Sequence, residues 1–236
     1  MIVTYKYKLY QHKRNRHLTK QLQIACNVYN HCIALHKRYF SLFGKHLNIF
    51  TLQKHITKLK GRTKKFWNEL NSQVIQDIAE RIDKAYKAFF SNIKKGIKTA
   101  PPKFKPFRKY RSITFKQTGF KLLDGNMIKI LNRVYKFHKS RDIDGIIKTM
   151  SVKRDSLGDY YIYFAIEKEM VQPYKPMTGN IAGFDFGLKT FLVSSEGDKI
   201  ESPRFFFSDI DTVRKTSKKL SKKVKGSKNR KKAKLN

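Results

Sequence analysis

Acidic residues are scarce in this sequence, and the scarcity sets its class. There are 17 Asp and Glu against 53 Lys and Arg in 236 residues, a formal net charge of +36. A compact chain of that charge repels itself unless a polyanion neutralises it. A nucleic acid is the expected partner, because each phosphate contact also releases counterions. An anionic membrane is the rival. No apolar run approaches the ~20 residues that span a bilayer. No signal-peptide pattern opens the chain, so the expectation is a cytoplasmic protein with no membrane partner. Cysteine is nearly absent too: Cys26 and Cys32 are the two. They fall six apart on an expected helix, on different faces, and no C-x-x-C occurs. Both read as core thiols rather than a disulfide or zinc ligands. The seven histidines are scattered, without zincin or finger spacing. Hydrophobic content of 40% still leaves enough to fold most of the chain.

Residues 1–10 alternate, with Val3, Tyr5, Tyr7 and Leu9 on one side, as in a half-buried strand. From Leu18 the period becomes helical. Leu18, Leu22, Cys26, Tyr29, Ile33, His36, Phe40 and Phe43 share a face, and Gly44 stops it. A shorter helix through Leu52, Ile56 and Leu59 ends at Gly61. The longest helix is expected from Asn71 to Lys95. Its stripe is Val74, Ile78, Ile82, Ala85, Phe89 and Ile93, with Asn71 or Ser72 as N-cap. Its outer face carries Gln73, Gln76, Arg81 and Lys84. As a group these suit nucleic acid, since Gln can read adenine edges and Arg or Lys grip phosphate; singly, each suits a solvated helix face.

Half of the six prolines cluster at Pro101, Pro102 and Pro106. They force an extended path and mark the clearest boundary. Phe104 and Phe107 alternate there with Lys103, Lys105 and Arg108, a mixture that suits stacked bases and paired phosphates. An ordinary linker stapled by its phenylalanines has the same composition. Residues 112–169 read as short strands, including a hairpin around Asp155–Asp159. With residues 1–10 they suit a small barrel into which the helices are inserted. Pro173 to Pro176 reads as a second linker. From Arg214 to Asn236 there are twelve Lys and Arg and no acid, so a helix there should fray unless it lies on RNA or DNA.

Gly183-Phe184-Asp185-Phe186-Gly187 reads as a buried strand with one carboxylate, followed by a turn and a second strand. A buried Asp needs a positive partner, and flanking glycines leave room for a backbone, a phosphate or a hydrated metal. A metal-binding Asp of a nuclease and a turn-capping Asp both fit. So does the first phosphate loop of a sugar-kinase or actin-like ATPase, although such loops usually continue with Thr or Ser.

Several stretches together resemble a known family. They are residues 18–30, the helix 71–90, Pro102-Lys-Phe-Lys105, Gly183-Phe-Asp-Phe-Gly-Leu-Lys189 and Lys199-Ile-Glu-Ser-Pro203. In that order they resemble the TnpB (OrfB) proteins of bacterial insertion sequences, relatives of type V CRISPR nucleases. The resemblance implies an α+β chain: a wedge β-barrel from residues 1–10 and 101–175, and a helical recognition lobe from 11–100. The start of an RNase H-like RuvC domain with a basic linker helix would fill 176–236. It implies an RNA-guided, metal-dependent DNA endonuclease of transposase type, with guide RNA and double-stranded target DNA as partners. Asp185 would be the first catalytic, magnesium-binding carboxylate. Gln73, Gln76, Arg81, Lys84, Lys103, Lys105, Arg108, Thr114, Lys189, Lys218 and Lys222 would meet nucleic acid.

The departures are as specific. Two-metal cleavage needs several carboxylates, and the family's later Glu, later Asp and four-cysteine zinc site have no counterpart in this sequence. The expectation is therefore a chain stopped after the first nuclease motif, unable to cut alone, with a C-terminal half on another chain as one remedy. The alternative is a cleavage-dead RNA-guided repressor; a plain RNA-binding structural protein is the fallback.

Overall fold

The computed structural model describes residues 1–13, 15–169, 179 and 181–234. The chain forms two compact units, Met1–Met170 and Val171–Asn236. The linker expected at Pro173 to Pro176 lies outside the described residues.

The first unit opens with β1 (Ile2–Lys8), whose alternation puts Tyr7 in the core; Leu9, just beyond, is buried too. Next come α1 (Asn15–Phe43) and α2 (Ile49–Gly61). Gly44 at φ +62° takes the left-handed position that stops α1. Asn48 caps α2 by accepting the Phe50 amide at 2.8 Å. A 3-10 turn, Lys65–Glu69, follows and carries Trp67, fully buried. Its indole N–H donates to Asn27 Oδ1 on α1 at 3.0 Å, the partner a buried Trp needs. The next helix is α3 (Ser72–Lys94), and Asn71 caps it through the Gln73 amide. Cys26 and Cys32 are both buried free thiols, as their spacing suggested.

The buried side of α3 is Val74, Ile75, Ile78, Ala79, Ile82, Asp83 and Tyr86. That differs from the expected stripe near its C-terminal end. Ala85 is exposed, Phe89 is half-buried, and Ile93 is 51% exposed. The last turn of α1 behaves alike, with Phe40 53% exposed and Phe43 exposed. Apolar periodicity thus runs past the point where the core ends.

Among the described residues, seven strands complete this unit. They are β1 and β2 (Ser112–Phe115), then β3 (Phe120–Leu123), β4 (Met127–Ile130) and β5 (Arg133–Lys136), then β6 (Ile146–Arg154) and β7 (Tyr160–Glu167). One antiparallel sheet has the order β1-β7-β6-β2 and a second the order β3-β4-β5. Inward positions alternate, so Tyr7, Val152 and Ile162 meet in register and all are buried. The turn between β6 and β7 is built on Asp155. Its Oδ1 accepts the amides of Leu157, Gly158 and Asp159 at 2.8–2.9 Å.

The expected barrel is not closed among the described residues. The four-stranded sheet stays open, joined there to the small sheet side by a single bridge, Leu9 to Phe137. At the β2 edge, helix α3 occupies the place of a further strand. Arg81 donates to the Ser112 carbonyl at 3.3 Å, a ladder acceptor that another strand would otherwise take.

The described residues of the second unit form three short strands, β8 (Phe184–Asp185), β9 (Thr190–Ser194) and β10 (Lys199–Glu201), in the antiparallel order β10-β9-β8. Two helices follow, α4 (Phe205–Ser221) and α5 (Lys228–Lys232). No helix among the described residues is long and apolar enough to cross a membrane.

Candidate nucleic-acid interface and the Asp185 carboxylate

The proline-rich stretch is held as a strap on α1. Pro101, Pro102 and Pro106 deny it a helix, so its backbone groups need partners elsewhere. Asn30 supplies two of them. Its Nδ2 donates to the Lys105 carbonyl at 2.9 Å, and the Lys105 amide donates to its Oδ1 at 2.9 Å. Tyr29 donates its hydroxyl to the Lys103 carbonyl at 3.3 Å. Because α1 binds the strap through its backbone, the side chains of Lys103, Lys105 and Arg108 remain exposed. Lys105 Nζ sits 4.8 Å from the Tyr29 ring and Lys37 Nζ 4.6 Å from the Phe104 ring. Such cation–π contacts hold ammonium groups at fixed points without neutralising them. Basic groups and aromatic rings thus lie beside one another in space as well as in sequence. Asn30, Tyr29 and Lys37 were not anticipated; a signal existed in Asn30, a polar residue four after Cys26 on an apolar helix face.

The four residues chosen on α3 separate into two pairs. Gln73 accepts the amides of Lys116, Gln117 and Thr118 at 2.8–3.1 Å. Arg81 donates to Thr114 Oγ1 at 2.6 Å and pairs with Asp77 at 2.7 Å. Burial pushes the Asp77 carboxyl up, and the Arg81 guanidinium draws it back. Thr114 shares a further bond with Ser151 at 2.8 Å. The polar atoms of Gln73, Arg81 and Thr114 therefore serve the α3–β2 junction. Gln76 and Lys84 are exposed to solvent.

Asp185 lies on the two-residue edge strand β8, opposite Val193, and is exposed. The buried strand expected around it is not what forms. Phe184 is 59% and Phe186 71% exposed, and Leu188 is 97% exposed. Among the described residues the sheet has three short strands, and only its central strand β9 is half-buried for most of its length. The glycines have a local reason. A Cβ on Gly187 would stand 2.8 Å from the Thr190 carbonyl oxygen, so the turn after β8 needs that position bare. Gly183 has nothing closer than Ser195 Cβ at 3.8 Å. Among the described residues no group of three or more His, Cys, Asp or Glu could hold a metal ion.

Lys189 is exposed on the turn leading into β9, and Lys218 and Lys222 are exposed at the end of α4. Of the basic stretch from Arg214 expected to fray, Lys228–Lys232 form the separate α5, and the part up to Ser221 belongs to α4, which begins at Phe205. Arg230 explains the end of α4: Nη1 donates to the carbonyls of Leu220 and Lys223 at 2.6 and 2.8 Å. A guanidinium on terminal carbonyls satisfies orphan acceptors and complements the helix dipole.

Fold and charge define a strongly basic α+β protein with antiparallel sheets. The sequence model of the family OrfB_IS605, described as "Probable transposase", matches residues 162–236. An Escherichia coli (strain K12) protein, "Putative RNA-guided DNA endonuclease InsQ", is 26% identical over 209 residues, 87% of this chain and 50% of that protein. A Streptomyces pristinaespiralis protein, "Putative RNA-guided DNA endonuclease", is 26% identical over 172 residues, 71% of this chain and 41% of its own. Among solved structures, a Cas12f1–sgRNA–target DNA complex aligns with a TM-score of 0.44 and 14% identity, over 94% of this chain and 62% of that one. A second Cas12f ternary complex gives 0.45 and 13%, over 93% and 55%. The matches make the chain similar to TnpB (OrfB) proteins of insertion sequences, with the family model covering its last third. The chain spans about half the length of the curated relatives it matches.

Proposed function

We propose that this chain is the nucleic-acid-holding part of an RNA-guided DNA endonuclease. Guide RNA and target DNA are its partners, and base pairing between them supplies the sequence choice. The observation that carries the reading is the similarity to two proteins named as RNA-guided endonucleases, one of them along 87% of this chain. The net charge of +36 and the lysine-bearing strap on α1 fit the same role. In this reading Lys103, Lys105, Arg108, Gln76 and Lys84 contact nucleic acid from the first unit. Lys189, Lys218 and Lys222 do so from the second.

Asp185 supplies one carboxylate of an RNase H-like metal site. Magnesium takes six oxygen ligands in octahedral geometry, and the paired-metal mechanism needs several carboxylates. The donor set around Asp185 does not fit that demand by itself, so Asp185 alone does not make a cleaving centre. A second reading is an RNA-guided binder that occupies DNA without cutting it.

One experiment separates these. The purified chain is incubated with guide RNA, matching double-stranded DNA and magnesium, and the DNA is probed for protection and for nicks. RNA-dependent protection without nicks supports RNA-guided holding. Nicks lost in Asp185→Ala would mean that this chain completes the metal site itself. Protection that is the same with and without RNA would overturn RNA guidance.

A further inference from the structure

A cavity of about 500 Å³ lies where the C-terminal ends of α1 and α3 part. Small-ligand sites span about 300–1,000 Å³, so it has the capacity of one. Phe40, Tyr86, Phe89, Phe90 and Ile93 line it, with Pro101 of the strap. These include the apolar residues whose periodicity outran the core. Phe40 and Ile93 each leave about half their surface in water, which a helix pair built only for packing would hide.

The polar groups of the cavity are all basic or neutral. Lys37 and Lys45 line it. His36 and His46 line it too, with ring centroids 5.1 Å apart, and His36 stacks on Tyr86 at 4.5 Å. His36 is only 4% exposed, and its Nε2 has no hydrogen-bond partner. His46, only partly buried, also has no hydrogen bond at Nε2, which faces the Asp83 carboxylate at 3.6 Å, within ion-pair range but beyond hydrogen-bond reach. Buried polar atoms of this kind normally find partners. Burial, helped by His46, holds His36 down to about 4, so its ring is neutral near pH 7 and presents one donor and one acceptor nitrogen.

We propose that this cavity receives one unstacked nucleobase of a single-stranded RNA segment, with the adjoining phosphate on Lys37 and Lys45. The inference rests on the nucleic-acid reading above and names a site within it. Aromatic walls bind a base by its faces. A base edge supplies the partner that the imidazoles lack. Lysines at the same cavity match a phosphate and have no counterpart in an apolar peptide. Lys37 also stands over Phe104, so the strap and the cavity share a cation and one strand can follow both. RNA is the favoured source because its loops and bulges present bases already splayed out, whereas duplex DNA must first unstack one.

The test uses the full chain and an RNA hairpin with a single bulged 2-aminopurine. Affinity and fluorescence quenching are read together. Phe40→Ala, at a half-exposed position, is expected to weaken binding about tenfold or more and to abolish the quench. Phe40→Tyr should restore both. A Lys103→Gln, Lys105→Gln double variant should weaken binding but leave the quench in the bound state. If Phe40→Ala changes neither signal while the lysine variant weakens binding, the base pocket is wrong and RNA binding stands. If the hairpin does not bind at all, both readings fall. Equal affinity and quenching with the corresponding DNA hairpin overturns the choice of RNA. A bulged 4-thiouridine should crosslink the unmutated chain within 36–46 or 86–93; crosslinks confined elsewhere also reject the pocket.

Discussion

Arg81 on α3 reaches Thr114 on β2 at 2.6 Å while holding Asp77 at 2.7 Å. One guanidinium thus ties helix to sheet edge and balances a half-buried carboxylate. Gln73, two turns earlier, accepts three loop amides from the same region.

Substitutions on this helix should therefore sort by partner. Arg81→Ala strands Asp77 and is expected to cost about 3 kcal/mol. Gln73→Ala leaves three amides without their acceptor and should cost about 1–3 kcal/mol. Gln76→Ala and Lys84→Ala, at exposed positions, should stay within about 0.5 kcal/mol. Urea unfolding of the four variants measures this. A Gln73→Ala chain as stable as the parent would show that the capping bonds contribute nothing.

Release of the strap is the second expectation. Asn30→Ala removes both bonds to Lys105 and should lower stability by about 1 kcal/mol. Trypsin should then cut after Lys103, Lys105 or Arg108 faster than in the parent, since opened backbone is what a protease needs. Unchanged cleavage kinetics would mean that Tyr29 and packing suffice.

Acid should destabilise the first unit before its carboxylates titrate. His36 lies at about 4 in the folded chain against an ordinary 6.5, because burial disfavours its charged form and His46 adds to this; Asp83 opposes it. His17, His31 and His55 are lowered in the same direction. The unfolded chain therefore binds protons that the folded chain refuses. The His36 contribution is complete above 6.5 and fades as pH falls toward 4. Around the ring stand His46, Tyr86 and Asp83, and Lys87 binds Asp83 at 2.7 Å. Unfolding free energy measured from about pH 7 to about pH 5 should fall in the parent and fall less in His36→Phe. Equal slopes would assign the effect to the other histidines.

Ionic strength gives a fourth measurement. If about eight phosphates are neutralised, RNA affinity should drop on the order of ten-thousandfold between about 50 and about 200 mM salt. Losing two strap lysines should shallow the slope by about two. A flat curve would remove electrostatics as the source of binding.

Much of the helical part was legible in the residues. Gly44, Asn71 and the buried pairs along α1 and α3 act locally, and local signals can be read one element at a time. The open sheet was not legible, because whether Ser112 pairs with a strand or with Arg81 depends on a helix about thirty residues away in sequence. Alternating apolar residues around Asp185 looked like a buried strand. Alternation records which faces could be covered, and only a second layer decides whether they are. The cavity was hidden for the opposite reason: Phe40 and Ile93 matched the helical period so well that they read as ordinary core.

The strap carries one more implication. Since α1 grips it mainly by the strap's own main-chain atoms, the lysines it displays carry little of the hold. Selection can exchange them one at a time, retuning which strands the protein grasps, without first repairing the scaffold beneath.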